Sequence, residues 1–285
     1  MTHVELAVAA PAEAEETVAA VLAACGTTGA WIPRPGDVRG YFPAPSPDLE
    51  SRFASHWRSV TGEDVAFPLH VRPLPEEDWL AGYRARSRPI RIGDRLRIVP
   101  SGCEPDGLGD GPVVRIEPGL GFGTGEHPTT RALLRWIHDG GPFDRVLDVG
   151  TGSGILALAA LAGGAIAAVG LDSDSMALEN AARNRELNRA RGLALVRGFL
   201  DALAPAARFD LVLANLDAPT VDRLLPSLAG RVAPGGRLGV AGILGPDRTA
   251  ILERSRKAGL LLLDERFDPD PVPNGVWWSG WLGPA

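Results

Sequence analysis

From residue 143 onward, short apolar runs alternate with amphipathic segments of helical length, and this rhythm constrains the fold more than any other feature of the chain. Nearly continuous apolar strands separated by amphipathic helices are typical of a mostly parallel sheet covered on both faces. The last two runs flank a segment rich in proline and glycine, which predicts a final antiparallel strand pair. In order, the strand-like runs are RVLDVG, AAVGLD, ALVRG, FDLVLANL, GRLGVAGIL, LLLLDERF and VWWSGWLG.

Residues 1–74 show a different order of elements. The pattern strand, helix, strand, strand, helix, strand is that of a ferredoxin-like α/β module. In the second helix we expect Ser46 to act as the cap and Leu49, Phe53, Trp57 and Val60 to share one face. The predicted elements are strands 3–9, 27–32, 38–42 and 65–71 and helices 11–24 and 46–60.

The segment EEDWLAGYRAR, residues 76–86, has an acidic beginning and a basic end, the charge arrangement that a helix dipole favours. We therefore expect a helical linker over residues 75–98. It would join an amino-terminal domain of residues 1–74 to a larger domain of residues 99–285. At 285 residues the chain is long enough for two such domains.

Charge and composition limit the partners. The net charge of -6 argues against nonspecific binding to DNA or RNA, which requires a concentrated basic surface. Two distant cysteines, Cys25 and Cys103, form neither a disulfide framework nor a zinc site, and this favours a reducing compartment. We expect a cytoplasmic monomer without direct nucleic acid contact.

One uncharged stretch, residues 150–171, has the length of a bilayer span. Its interior Gly163-Gly164 and the terminal Asp172 instead predict a buried helix, a turn and a buried strand. The first ten residues lack the basic and apolar regions of a signal peptide. We therefore expect no association with a membrane.

The most informative motif is the glycine turn VLDVGTGSG, residues 146–154. In a doubly wound sheet the first strand delivers such a turn to the ligand cleft, where backbone amides and a helix amino terminus meet the ligand. A dinucleotide fingerprint would read GxGxxG, but the glycines stand at 150, 152 and 154 and Ile155 takes the third position. This spacing behind Asp148 resembles the turn of enzymes that use S-adenosylmethionine (AdoMet). The alternative is an ordinary tight turn.

Two polar residues end the following strands. Asp172 closes the run AAVGLD, where a carboxylate can accept hydrogen bonds from both hydroxyls of a ribose. Asn215 closes the run FDLVLAN, the fourth strand of the sheet, where its side-chain carbonyl could hold an amine with the lone pair toward a methyl donor. The alternatives are a solvated acid and a capping asparagine.

Other site types lack their required residues. A Walker A loop needs a lysine after its glycines, and the only lysine is Lys257, far from any glycine turn. The GxSxG motif of hydrolases is absent. The five histidines have no metal-ligand spacing, and only His127 lies near the expected site, so we expect no metal.

Taken together, PGLGFGTGEHPTTRALL, VLDVGTGSGILALAALAGGA and VGLDSDSMALENAARNRELN closely resemble the bacterial ribosomal protein L11 methyltransferases of the PrmA type. The segment PGLxFGTGxHxTT is the specific part, because the glycine turn alone fits many AdoMet enzymes. The resemblance implies a seven-stranded, doubly wound class I methyltransferase domain of Rossmann-like α/β architecture. The amino-terminal domain agrees with that family in size and strand order only.

The resemblance also implies an activity and a set of site residues. Such an enzyme trimethylates the terminal α-amine and lysine ε-amines of one large-subunit ribosomal protein, which the first domain recognises. AdoMet would serve as the methyl donor, and Phe122 would border the methyl-transfer site. The residues implied to contact AdoMet are Thr130, Gly150, Asp172 and Asn215, with Gly152 in the same turn.

The sequence departs from the family pattern at Gly121, where alanine is frequent, and at Asp217. Asp217 could add negative charge near an amine substrate or could mark a changed acceptor. Because an amine must lose its proton before it reacts, Asp217 and Glu126 are candidates for assisting this step, although bulk water can also take the proton.

Three other functions remain open at this point. One is an AdoMet-dependent N-methyltransferase for another protein's lysine or for a small amine. The second is a noncatalytic AdoMet-binding or ribosome-assembly factor. The third is a nicotinamide oxidoreductase, which the glycine spacing disfavours.

If Asp172 holds the ribose, Asp172→Ala should weaken AdoMet binding at least tenfold, about 1.4 kcal/mol, because the contacts with the diol are lost. Isothermal titration calorimetry measures this change. An unchanged dissociation constant would refute the assignment of Asp172.

Overall fold

The computed structural model describes residues 3–44, 46–74, 88–105, 107–117, 125–269 and 275–285. The chain divides into two compact units, Met1–Ala85 and Arg86–Ala285. Each unit has its own hydrophobic core.

The first unit has the predicted ferredoxin-like order. Its four strands form one antiparallel sheet in the order β2-β3-β1-β4. Apolar residues that alternate along β1 and β3 pack against the two helices, with Leu6, Val38 and Phe53 fully buried. The elements are β1 (His3–Ala9), α1 (Glu15–Ala24), β2 (Gly29–Arg34), β3 (Asp37–Pro43), α2 (Leu49–Thr61) and β4 (Leu69–Leu74).

Helix α2 departs from the prediction at both ends. It begins after Asp48, which has a left-handed backbone, and Ser46 instead donates a hydrogen bond to the carbonyl of Pro43. Val60 is 63% exposed, whereas Leu49, Phe53 and Trp57 are buried as expected. The fourth strand begins at Leu69, later than predicted.

The second unit contains a seven-stranded sheet in the order β10-β9-β8-β11-β12-β14-β13. All pairs from β10 to β12 are parallel, while β14 is antiparallel to both of its neighbours, so the predicted final antiparallel pair is confirmed. The strands are β8 (Arg145–Val149), β9 (Ala167–Asp172), β10 (Leu193–Arg197), β11 (Phe209–Asn215), β12 (Val232–Leu244), β13 (Leu260–Pro269) and β14 (Val276–Pro284).

Helices cover both faces of this sheet. Successive residues of one strand point to opposite faces, so Leu213 joins one buried cluster and Val212 the other. This burial on two sides explains why the strands are apolar at nearly every position. The helices of this unit are α3 (Pro128–Gly140), α4 (Ile155–Ala162), α5 (Ser175–Leu187), α6 (Ala218–Ala229) and α7 (Arg248–Lys257).

A second, three-stranded sheet precedes α3. It consists of β5 (Ile90–Ile92), β6 (Leu96–Pro100) and β7 (Val113–Ile116) in that order. The predicted linker over residues 75–98 therefore extends too far, because apolar residues of β5 and β6, such as Ile92 and Ile98, pack into the core of the second unit. Residues 75–87, where the linker helix was expected, lie outside the described residues.

The uncharged stretch 150–171 is divided into a glycine turn, the short helix α4 and strand β9, as predicted. Within the described residues, no helix is both long enough and apolar enough to cross a membrane.

Trp278 on β14 should be a main contributor to the stability of the second unit. It is 0% exposed, and its indole nitrogen donates to Glu265 Oε2 at 2.8 Å. Trp278→Ala leaves a large cavity and removes the indole hydrogen bond to Glu265 Oε2, an oxygen that Arg248 Nε still binds, so it should lower the free energy of unfolding by about 3–5 kcal/mol. Phe267 on the same hairpin is 52% exposed, and Phe267→Ala should cost less than about 1 kcal/mol. Equal losses in urea unfolding would contradict this packing.

Candidate active site

The turn between β8 and α4 lies at the carboxyl edge of the large sheet. Gly150, Gly152 and Gly154 have φ angles of +71°, +54° and +79°, in the left-handed region that favours glycine. A Cβ on Gly150 would also lie 2.5 Å from Leu216 Cδ2. The glycines therefore allow this backbone path and the close approach of the end of β11.

The amides of this turn are bound within the protein. Gly150 and Thr151 donate to the carbonyl of Leu171 at 2.8 and 3.0 Å, and Gly154 donates to the carbonyl of Thr151 at 2.8 Å. Gly152 donates to Asp172 Oδ2 at 3.0 Å. A phosphate-binding turn must present free amides to its ligand, so these four amides do not form a phosphate cradle.

Asp172 ends β9 beside the turn, as predicted. Its Oδ2 accepts the Gly152 amide, and its Oδ1 accepts the amide of Asp174 at 3.0 Å. Each carboxylate oxygen can accept a further hydrogen bond, so one acceptor site on each oxygen remains for a pair of hydroxyls. Asp172 thus holds the glycine turn and can still receive a diol.

Asp148 lies on β8 under the same turn and is 1% exposed. Its Oδ2 accepts from Thr151 Oγ1 at 2.8 Å and from the Ala157 amide at 3.3 Å. Its Oδ1 is buried without a hydrogen-bond partner among the described residues. Burial raises the pKa of Asp148 to about 6, the hydrogen bonds oppose this shift, and nearby Asp172 adds to it.

Asn215 and Thr130 meet at the same edge, although 85 residues separate them. Asn215 Nδ2 donates to Thr130 Oγ1 at 3.2 Å, which fixes the orientation of the amide and leaves Oδ1 as an acceptor. Thr130 is 1% exposed on the first turn of α3. The two residues that the resemblance placed at AdoMet therefore form one polar pair.

An aromatic pair continues this edge beyond α3. His127 caps α3, and its Nδ1 lies 2.8 Å from Thr129 Oγ1. The His127 ring packs edge-on against Trp277, with ring centroids 5.2 Å apart. Trp277 pairs with Leu244 at the end of β12, so it lies at the carboxyl edge of the sheet.

Asp217 caps a helix. It is exposed and caps α6, where its Oδ1 accepts the amide of Thr220 at 3.0 Å. Capping accounts for this carboxylate without any function in catalysis, so its assistance to the amine stays a prediction. Glu126, the other candidate, lines a groove with Arg131, Arg135 and Arg266. Phe122 lies outside the described residues.

Some of these positions could have been found in the sequence. The letters DAPT at 217–220 combine a capping aspartate with a proline in the first helical turn, a sufficient signal for a helix start. No sequence signal joins His127 to Trp277, because that contact depends on the pairing of β12 with β14. Among the described residues, no three His, Cys, Asp or Glu side chains are grouped to hold a metal.

The site fits AdoMet better than a nucleotide. It offers a half-buried carboxylate for a diol at Asp172, and the four amides of the turn described above form no phosphate cradle. AdoMet contains a ribose, a cationic sulfonium and an amino acid but no phosphate. These groups match the acceptors present.

The raised pKa of Asp148 makes stability depend on pH. Its folded pKa of about 6 exceeds the ordinary value of 3.8, so its contribution to stability is present below about pH 3.8 and is lost as the pH rises through about 6. The neutral variant Asp148→Asn lacks this loss. Its free energy of unfolding relative to the wild type should therefore rise by roughly 2–3 kcal/mol between about pH 4 and about pH 7 in urea titrations. A difference that does not vary with pH would contradict the assigned cause.

Comparison with known proteins identifies the family of this chain. A model of the family described as ribosomal protein L11 methyltransferase (PrmA) matches residues 2–266. The ribosomal protein L11 methyltransferase of Burkholderia multivorans is 41% identical over 187 residues, 64% of this chain and 60% of the relative. That of Symbiobacterium thermophilum is 36% identical over 241 residues, 84% of this chain and 77% of the relative.

A solved structure is also similar. The crystal structure of a ribosomal protein L11 methylase from Lactobacillus delbrueckii subsp. bulgaricus has a TM-score of 0.60 and 28% identity. The match covers 70% of this chain and 99% of that chain. The seven-stranded fold, the site at its carboxyl edge and the match over residues 2–266 lead to one conclusion: the chain belongs to the ribosomal protein L11 methyltransferase (PrmA) family.

Proposed function

We propose that this protein transfers methyl groups from AdoMet to amino groups of ribosomal protein L11, a protein of the large ribosomal subunit. The observation that carries the proposal is the cluster at the carboxyl edge of the sheet. There the Asp172 carboxylate adjoins the glycine turn, and the Asn215 amide is held by Thr130. Membership of the family supplies the identity of the acceptor protein.

The methyl-transfer reaction does not require an acid or base side chain of the protein. When bound, AdoMet supplies an electrophilic methyl group, to which the amine nitrogen bonds as the carbon–sulfur bond breaks. The protein contributes by positioning the two reactants, which can supply much of the rate enhancement. Asn215 Oδ1 can accept an N–H of the amine and so direct its lone pair, because Nδ2 is already engaged by Thr130.

The amine must be neutral to react. A lysine amine with a pKa of about 10.4 and an α-amine with one of about 7.7–8.0 both lose a proton before transfer, and water can accept it. Asp217 caps a helix, so we do not require it as a base. In this proposal AdoMet contacts Thr130, Gly150, Gly152, Asp172 and Asn215, while Phe122 borders the methyl-transfer site.

The first unit is proposed to recognise the substrate. Its buried residues form a core separate from those of the second unit, so it can act as an independent binding module. We further propose a cytoplasmic monomer that does not bind nucleic acid directly, in keeping with the net charge of -6.

The proposal predicts transfer to one protein. Incubation of the chain with AdoMet and unmethylated L11 should raise the intact mass of L11 by whole multiples of a methyl group, and peptide mapping should place them on amines. Methylation of a small amine or of another protein's lysine, but not of L11, would identify a different acceptor. AdoMet binding without any transfer up to about pH 9, where more of the amine is neutral, would exclude the enzyme.

Deletion of residues 1–74 tests the proposed division of labour. The remaining chain keeps the buried clusters of the second unit and the whole carboxyl-edge site, so it should bind AdoMet as the full chain does. It should no longer methylate L11, because the recognition module is gone. Unchanged methylation of L11 by the deletion variant would place recognition in the second unit.

A further inference from the structure

Two asparagine side chains connect α5 to strand β7. Asn184 in α5 is 0% exposed, and Asn188 follows at the carboxyl end of the helix. Asn188 Oδ1 accepts the Arg115 amide at 2.7 Å, and its Nδ2 donates to the Arg115 carbonyl at 2.6 Å. Asn184 Oδ1 accepts the Glu117 amide at 2.7 Å. Because β7 is the edge strand of its sheet, these amides take the place of a neighbouring strand.

Asn184 differs from Asn188 in its second contact. Its Nδ2 donates to the carbonyl of Ser153 at 2.8 Å, and Ser153 lies inside the glycine turn between Gly152 and Gly154. Asn188 Nδ2 instead turns to Arg115 and to the carbonyl of Asn184. Only Asn184 of this pair therefore reaches the turn.

The glycine turn is thus held from two sides. On one side Asp172 Oδ2 accepts the Gly152 amide, and on the other Asn184 Nδ2 binds the Ser153 carbonyl one residue later. The two bonds hold the 151–152 and 153–154 peptide groups on either side of the 152–153 peptide, in a turn whose glycines have left-handed backbones and wide conformational freedom when unrestrained. Loss of either bond should let the turn move out of the geometry that the ligand requires.

We propose that Asn184 is a positioning residue for AdoMet, one that fixes the glycine turn and joins it to Glu117 at the end of β7. Glu117 directly precedes the segment PGLGFGTGEHPTT in sequence, so one side chain links the glycine turn to the residue before that segment. The proposal rests on the proposed function only for the identity of the ligand. The contacts themselves lie within the protein.

Asn184→Asp tests the hydrogen bond from Asn184 Nδ2 to the Ser153 carbonyl separately from the bond to Glu117. At a pH where it is ionised, the carboxylate has the same shape and can still accept the Glu117 amide, but it has no donor for the Ser153 carbonyl. We expect the dissociation constant for AdoMet to rise about tenfold, because the turn loses one of the two hydrogen bonds that hold it. The added negative charge would by itself favour a cationic ligand, and Asn184→Ser, which adds no charge, should show the same loss.

Asn188→Asp is the matched control. It removes the same kind of amide donor from the residue that caps the same helix but leaves the Ser153 carbonyl bonded. Both variants should lower the melting temperature, whereas only Asn184→Asp should weaken AdoMet binding in calorimetry. Hydrogen–deuterium exchange without ligand should be faster at residues 150–154 in Asn184→Asp than in Asn188→Asp. Should Asn184→Asp not fold, Asn184→Ser removes the bond without adding a charge.

Binding of AdoMet by the wild type distinguishes a failure of the proposed function from a failure of the proposed role of Asn184. If the wild type fails to bind AdoMet, the proposed function is wrong, and the exchange measurement still tests the positioning of the turn. If Asn184→Asp binds AdoMet as the wild type does, or if both variants lose affinity equally, Asn184 acts only in folding and the inference is overturned.

Discussion

The hydrogen bond from the Gly152 amide to Asp172 Oδ2 is the interaction on which the site depends. It ties the turn after β8 to the end of β9, and so converts two neighbouring parallel strands into one ligand-facing surface. The geometry requires glycine at 150, 152 and 154, because their φ angles are positive. The same carboxylate keeps one acceptor position on each oxygen. In the proposed function, this single side chain would both hold the turn and receive the ribose.

The Gly152 amide donates this hydrogen bond within the protein, and this favours a ligand that is not bound through phosphate. In phosphate-binding turns the amides point at the ligand, whereas here four amides of the turn are engaged by Leu171, Asp172 and Thr151. What remains at this edge is a pair of acceptors, namely the Asp172 carboxylate and Asn215 Oδ1. Acceptors suit hydroxyls, amines and a cationic sulfonium, which is the chemistry that a methyl transfer to an amine brings together.

The features that the sequence predicts best are those set by a local pattern of residues. Apolar runs buried on two faces predicted the strands of the large sheet, and Asp172 and Asn215 end their strands as expected because each follows directly on an apolar run. Prediction from the sequence fails where contacts between distant segments determine the structure. Ile92 and Ile98 lie in strands that pack into a core of the second unit, although we expected the helical linker to extend over residues 75–98. The Thr130–Asn215 and Asn184–Ser153 contacts join residues far apart in sequence and have no local signature.

The central claim is that AdoMet lies across the carboxyl edge with its ribose on Asp172 and its sulfur near Asn215. A crystal structure of the chain with S-adenosylhomocysteine, the product that remains after methyl transfer, tests it most directly. The account predicts both ribose hydroxyls within hydrogen-bond distance of Asp172, with the bonds from Asp172 to Gly152 and Asp174 retained. It also predicts the sulfur on the side of Asn215. Density for the ligand elsewhere, or a ribose that makes no contact with Asp172, would contradict the account.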